Sequence, residues 1–302
     1  MSIEVFQSFS RKIRRWIWTQ QTSSFSGGTW IDWIYYGDGY WVAVGSTGKL
    51  ATSTNGINWT QRTSGYGGSD TIRGGCYGNG YYVTCGAGKV FTASDPTSTW
   101  TQNGSTFAGL LYNVAYGADG YFVIASDDHA KIYVATDPTA AWTEEFSGSW
   151  YFSAVAYGNG VWVAVGQVGA LYTATDPTGT WTSRTSGFGA DEIQGIAYGA
   201  DGYWVAVGNT GKLSTATDPT GTWTARTSSF GTTNIYEVAY GNGWWVAVGN
   251  TGKMAVTKDP TGTWTQITSS FGTDLISGIA YNGSSLWAAS GNADKIATSP
   301  GL

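Results

Sequence analysis

The chain has 302 residues and a net charge of −5, and only 12% of its side chains are charged, about half the roughly 25% of an ordinary globular protein. Its 17 Trp, 19 Tyr and 11 Phe give enough apolar surface to offset the ordering cost, which excludes a disordered acidic tail, while 6 Pro and an aperiodic set of 45 Gly exclude collagen. No run of 18 apolar residues is present to span a membrane, and 2 Cys cannot staple a chain of this length, so folding must rest on a buried core.

Residues 1–15 stand apart from everything that follows. Ile3, Val5, Phe6, Phe9 and Ile13 fall within roughly 160° of a helical wheel, and Glu4, Gln7, Ser8, Arg11, Lys12, Arg14 and Arg15 take the other side. Two readings are open: a short basic amphipathic helix that orders by docking on the rest of the chain or on a larger assembly, or a loose terminus. The segment lacks the apolar stretch of a signal peptide, so we expect synthesis in the cytoplasm without export by the general secretory route.

From residue 16 the chain repeats. Trp-Thr recurs at Trp18, Trp59, Trp100, Trp142, Trp181, Trp223 and Trp264, with spacings of 41, 41, 42, 39, 42 and 41. A tyrosine runs in step at Tyr36, Tyr77, Tyr116, Tyr157, Tyr198, Tyr240 and Tyr281, six of them followed by Gly and each opening a turn such as Gly241-Asn242-Gly243. The fifth unit is typical: a strand over Ile193–Tyr198, an Asp-Gly hairpin, a second strand over Tyr203–Val207, the turn Asn209-Thr210-Gly211, a third strand over Lys212–Thr217, the turn Asp218-Pro219-Thr220-Gly221, and a fourth strand over Trp223–Thr227. Four-stranded meanders repeating every 40 to 45 residues are blades of a β-propeller. The last unit stops after Ser299 without a Trp-Thr strand, and the chain carries a surplus one at Trp16–Thr22. The expected fold is therefore all-β: a seven-bladed β-propeller over 16–302 with four antiparallel strands per blade, the last blade closed by the N-terminal strand, preceded by an arm over 1–15.

The turn Thr175-Asp176-Pro177-Thr178-Gly179-Thr180-Trp181 and its copies ending at Trp100, Trp142, Trp223 and Trp264, with the shorter Ser53-Thr54-Asn55-Gly56-Ile57-Asn58-Trp59, resemble the Asp-box (BNR/sialidase-like) repeats of sialidase-type propellers. The spacing departs from that family by an extra residue between Asp and Gly, and Ala140-Ala141 replace Gly-Thr in the third unit. The resemblance implies that Asn55, Asp95, Asp137, Asp176, Asp218 and Asp259 are structural, bonding backbone in the hairpin between the third and fourth strands while the Trp packs between blades. Runs such as Tyr240-Gly-Asn-Gly-Trp-Trp-Val-Ala-Val-Gly are also similar, more weakly, to propeller repeats of bacteriophage tail and virion proteins, a likeness that would make the chain a structural protein of a virion.

The catalytic half of the sialidase resemblance has no support in the arginines. Arg62, Arg184 and Arg226 follow the repeat Trp on the outermost strand, and only Arg73 lies on an inner one. One His and two Cys offer no metal cluster and no cofactor is expected; Cys76 and Cys85 occupy positions where other units place Ala and Val, as buried apolar filler. Asp32, Glu192, Glu237 and Asp274 fall near inner strands and keep a glycoside hydrolase or lyase open as an alternative. Lys49, Lys89, Lys131, Lys212, Lys253 and Lys295 end six of the seven middle turns; the favoured reading is solvated lysines that open exposed strands, and the alternative is a ring of cations on one face that attracts an anionic polymer. With a net charge of −5, nucleic acid is not an expected partner.

Aromatics carry the sharper signal. Twelve of the 17 Trp belong to the repeat as packing residues; the others are Trp16, Trp30, Trp33, Trp150 and Trp244. Trp30, Trp33 and Trp150 sit in the segments that join blades, with Tyr112, Tyr151 and Tyr236 in the same zone. Non-repeated aromatics on that face suit a non-catalytic module that recognises a glycan or a cell-surface receptor, flat rings covering sugar faces, and they equally suit plugs between unequal blades. The middle turn of the third unit, Ser126-Asp127-Asp128-His129-Ala130, is the longest and departs from the pattern there. An assembly scaffold that binds another protein would use the same face. The candidate ligand residues are Trp30, Trp33, Arg73, Tyr112, Trp150, Tyr151 and Tyr236.

Overall fold

The four β patterns of each unit become four antiparallel strands of one sheet, and seven such sheets form the ring. The computed structural model describes residues 16–127 and 130–301; the arm over 1–15 and the pair Asp128-His129 lie outside the described residues. In blade 5 the strands are Ile193–Tyr198, Trp204–Gly208, Lys212–Ala216 and Thr224–Thr227, in that order from the axis outward. These differ from the sequence expectation by one residue at strand ends, where caps and frayed pairs decide the boundary.

Blade 7 is assembled from both ends of the chain. Its inner three strands are Ile276–Tyr281, Trp287–Gly291 and Lys295–Ser299, and its outer strand is Thr19–Thr22, paired antiparallel from Thr19 opposite Thr298 to Thr22 opposite Lys295. Trp18 enters the core just before that strand, 6% exposed. Trp16 stacks on it at 6.2 Å and meets Trp244 and Trp287 edge-on at 5.7 and 5.9 Å. Two of the five tryptophans outside the repeat thus serve the closure.

The core lies between blades. Seven buried clusters fill the seven interfaces, each combining the second-strand aromatic and the Trp-Thr tryptophan of one blade with aliphatic side chains of its neighbour, as Trp204 and Trp223 do with Val163, Val165 and Leu171. A blade inside the ring is covered on both faces, so its second strand is buried at every position and reads as a continuous apolar run, Trp-Val-Ala-Val, rather than an alternating one. The outer strands face solvent and read Thr-Gln-Arg or Thr-Ala-Arg-Thr.

The recurring Tyr-Gly pair has a steric cause. In blades 2 to 7 the tyrosine that ends the inner strand lies over the glycine of the blade before it: a Cβ on Gly158 would fall 2.2 Å from Cγ of Tyr198, and one on Gly78 would fall 2.1 Å from Cγ of Tyr116. Glycine gives the tyrosines room at six of the seven junctions around the foot of the axial channel; at the seventh, after Tyr281, the position is Asn282.

Candidate functional site

The inner strands begin with a fixed apolar residue and then depart from regularity. Leu111, Phe152, Ile193, Ile235 and Ile276 are fully buried, and in blades 3 to 7 the register with the second strand slips at the next residue. That residue is the extra one of a β-bulge, unpaired in the ladder, and a bulge re-aims its side chain. The bulged residues are Tyr112, Ser153, Gln194, Tyr236 and Ser277; Asp32 and Arg73 hold the same position after Ile31 and Ile72 in blades 1 and 2. The bulge presents five of these side chains around the channel mouth, on the face of the blade-joining loops, and Asp32 and Arg73 take the equivalent sequence position in the two blades whose registers show no slip.

Five blades of this rim are linked into one arc. The guanidinium of Arg73 lies over the ring of Tyr112 at 5.0 Å, and Tyr112 stacks on Tyr151 at 5.8 Å with 13° between the planes. The Tyr151 hydroxyl donates to Oε1 of Glu192 at 2.8 Å, Nδ2 of Asn209 reaches Oε2 of Glu192 at 3.5 Å, and Nε2 of Gln194 donates to Oδ1 of Asn209 at 3.2 Å. At the other end is Asp32, whose carboxyl burial pushes up to about 6 while Arg73 pulls it down. Among the described residues the Arg73 side chain makes no hydrogen bond or ion pair, and both its Nε and Oδ2 of Asp32 are buried without a partner. Burial also raises the Tyr112 phenol, and burial with the bond to Glu192 raises that of Tyr151, so both remain protonated donors at neutral pH.

Arg73, Tyr112 and Tyr151 are thus brought together as one unit, with Arg73 and Tyr151 covering Tyr112. Trp30 and Trp150 stand free in the joining segments before blades 1 and 4, 53% and 49% exposed. Trp33 is not a loop-tip ring. It opens the inner strand of blade 1, donates Nε1–H to the carbonyl of Gly75 in blade 2 at 2.9 Å, and lines the channel. Tyr236 is the half-buried bulge residue of blade 6. Of the residues in the arc, sequence reasoning passed over Gln194 and Asn209, because it searched that face for aromatics and charges rather than for the residue after the fixed aliphatic.

The five Asp-Pro hairpins on the opposite face share one geometry, and the Asn55 hairpin is a variant of it. Oδ1 of Asp176 accepts from the backbone N–H and hydroxyl of Thr178 at 2.9 and 2.7 Å, bonds that hold the carboxyl below its usual range, and Trp181 donates to the carbonyl of Pro177 at 3.1 Å. Asp95, Asp137, Asp218 and Asp259 bond the threonine two residues on in the same way, and Oδ1 of Asn55 accepts from the amides of Ile57 and Asn58.

The lysines do not form a free cationic ring. Lys212 Nζ meets Asp191 at 2.6 Å and the Phe188 carbonyl at 2.7 Å; Lys295 meets Asp274 at 2.5 Å, Lys89 meets Asp70 at 2.6 Å, Lys131 meets Glu144 at 3.3 Å, and Lys253 bonds the Phe230 carbonyl and the Thr233 hydroxyl, both at 2.8 Å. Lys49 bonds the Ser26 carbonyl. Each lysine ties its middle turn to a neighbouring loop or strand edge, and four of the six are paired with a carboxylate. Asp274 is spoken for by Lys295 and Glu192 by Tyr151 and Asn209. Cys76 and Cys85 are free thiols, and burial pushes both up, away from thiolate chemistry.

Below the rim an axial cavity of about 390 Å³ is lined by the inner strands. Glu237 faces it from blade 6, only 5% exposed, and burial pushes its carboxyl up to about 8. No helix among the described residues is long and apolar enough to cross a membrane.

No family model matches the chain, and no curated protein matches it. Among solved structures it is similar to YCF48 bound to D1 peptide, with a TM-score of 0.75 and 15% identity over 95% of this chain and 96% of that one. The likeness is one of fold. YCF48 from Cyanidioschyzon merolae matches at TM-score 0.75 and 15% identity, covering 93% of this chain and 98% of that one; the WD40 propeller domain of Doa1 matches at 0.75 and 12%, covering 93% and 96%.

Proposed function

We propose that this propeller binds an extended segment of another protein across the channel mouth, with Arg73 as the principal polar contact and Trp30 and Trp150 as apolar anchors. The observation that carries this reading is Arg73 itself. Held on the face of Tyr112, it keeps its donors unspent, and an unspent guanidinium beside an unpartnered carboxylate oxygen suits a chain that offers carbonyls and N–H groups together. Trp30 and Trp150 precede blades 1 and 4, which lie well apart around the ring, so an elongated ligand can reach both. YCF48, whose fold this chain shares, was solved with a peptide bound, and that supports the same reading. A sugar platform at Tyr112 is disfavoured because Arg73 and Tyr151 cover the ring; Trp30 and Trp150 retain the faces a glycan or cell-surface receptor would need. The virion and Asp-box affiliations, and a docking role for residues 1–15, remain expectations from sequence.

Dodecapeptides enriched from a random display library on the wild-type protein should lose about tenfold or more in affinity with Arg73→Ala, since a hydrogen bond to a charged group contributes about 1.5–3 kcal/mol. The melting temperature of that variant should fall only modestly, through loss of the contact with Tyr112 and of the charge that pulls the Asp32 carboxyl down. Enrichment of oligosaccharides on a glycan array with no peptide enriched, or peptides indifferent to Arg73→Ala, would overturn the proposal.

A further inference from the structure

The axial cavity holds a feature that the rim does not use. At the third position of the inner strands, one residue below the bulge, blades 5 and 7 carry Gly195 and Gly278, and blade 6 between them carries Glu237. A Cβ on Gly195 would come within 3.2 Å of Oε1 of Glu237, so the missing side chain makes the space in which the carboxyl stands. Oε1 accepts one bond, from the N–H of Val238 at 2.8 Å, and no hydrogen bond reaches Oε2 from the described residues. A carboxyl so buried and so poorly partnered is costly unless something else meets it.

The surroundings limit what that is. Among the described residues no basic side chain lines the cavity, and Glu237 is the one carboxylate there. Beneath it the next position forms an apolar collar that includes Ile34, Val114, Val155 and Ile279, and the ring of tyrosines closes the foot. A volume of about 390 Å³ lies within the roughly 300–1,000 Å³ of small-molecule sites. A compact cation on a short apolar stem matches each feature: the charge at Glu237, the methylenes in the collar, aromatic faces below. We propose that the axial channel is a binding site for a primary alkylammonium group, seated on Glu237. The group arrives as a free amine or as a lysine side chain, and the site stands whether or not a protein segment crosses the rim.

Cation binding has a proton signature. Glu237 is mostly neutral at pH 7, so an ammonium must displace its proton, and apparent affinity rises with pH until the carboxyl is ionised without help. The other titratable groups facing the cavity, the Cys76 thiol and the phenols of Tyr35 and the tyrosine ring, carry no charge when protonated; Gly195 and Gly278 on the flanking strands contribute none.

The test is calorimetric titration of the whole chain with n-butylamine, with n-butanol as neutral isostere and Nα-acetyl-lysine methylamide as side-chain source, at pH 7 and pH 9. Saturable butylammonium binding should tighten about tenfold between the two, with a heat that depends on the buffer because a proton is released. Butanol should bind at least tenfold more weakly, and Glu237→Gln should abolish the pH dependence and the ammonium preference. If both amines bind, the pocket accepts either source; if only butylamine does, the free amine is the ligand; if only the lysine derivative does, the side chain is. Absence of saturable binding by either amine at pH 9, or equal binding by butanol or by Glu237→Gln, overturns the proposal.

Discussion

A chain that starts at Ser23 should melt about 10 °C or more below the full-length protein and with lower cooperativity. Removal of the strand Thr19–Thr22 leaves blade 7 with three strands and exposes the edge of Lys295–Ser299, and it takes Trp18 and Trp16 out of a cluster that includes Trp287, Phe271 and Met254. Loss of one buried Trp side chain alone costs about 3–5 kcal/mol, and each kcal/mol corresponds to roughly 2–4 °C in a chain somewhat smaller than this one. The effect should exceed the sum of lost contacts, because every other blade is held between two neighbours and an open ring frees one interface. Calorimetry of the two chains is the check; identical transitions would mean that the ring is not held shut by this strand.

Replacing Glu237 with Gln should stabilise the protein at high pH and leave it nearly unchanged at pH 4. In the folded chain burial pushes this carboxyl up to about 8 from an ordinary value of 4.5, so the folded state holds a proton that the unfolded chain gives up. Its contribution to stability is therefore fully present below about pH 4.5 and is lost as pH rises through about 8. Asp32, pushed up to about 6 from 3.8, acts in the same direction over a lower window and does so in both proteins. The neutral amide keeps the shape without the ionisation, so the difference in melting temperature between Glu237→Gln and wild type should widen between pH 5 and pH 9. A carboxyl perturbed this far is worth of the order of a few kcal/mol, or roughly 5–10 °C at pH 9. Parallel melting curves across that range would show that the carboxyl is solvated in the folded chain.

The architecture was legible because the scaffold is written seven times. A spacing near 41, a tyrosine before a glycine turn and a surplus Trp-Thr strand at the start each have one steric consequence, and the closure of blade 7 followed from counting strands. The site was only partly legible. Arg73, Tyr112 and Tyr151 stood out as departures from the repeat, and they meet in one stack. Trp33 departed equally, yet it is a wedge between blades 1 and 2, since sequence spacing does not say which way a residue at a strand start points. The partners of the lysines were not legible, because spacing reveals where cations stand and not the carbonyls and carboxylates facing them from other loops. The bulge was invisible because one extra residue in an inner strand leaves apolar periodicity on either side intact. With the bulge known, the residue after each fixed aliphatic becomes a readable signal, and Gln194 joins the site.

The most direct test of the binding face uses 5-fluorotryptophan incorporation and ¹⁹F NMR, with Trp30→Phe and Trp150→Phe identifying their signals. On addition of a peptide enriched on the wild-type protein, the resonances of Trp30 and Trp150 should move while those of the hairpin tryptophans on the opposite face, such as Trp100, Trp181 and Trp223, stay in place. Movement of the hairpin signals with Trp30 and Trp150 unmoved would contradict the account and put the ligand on the other side of the ring.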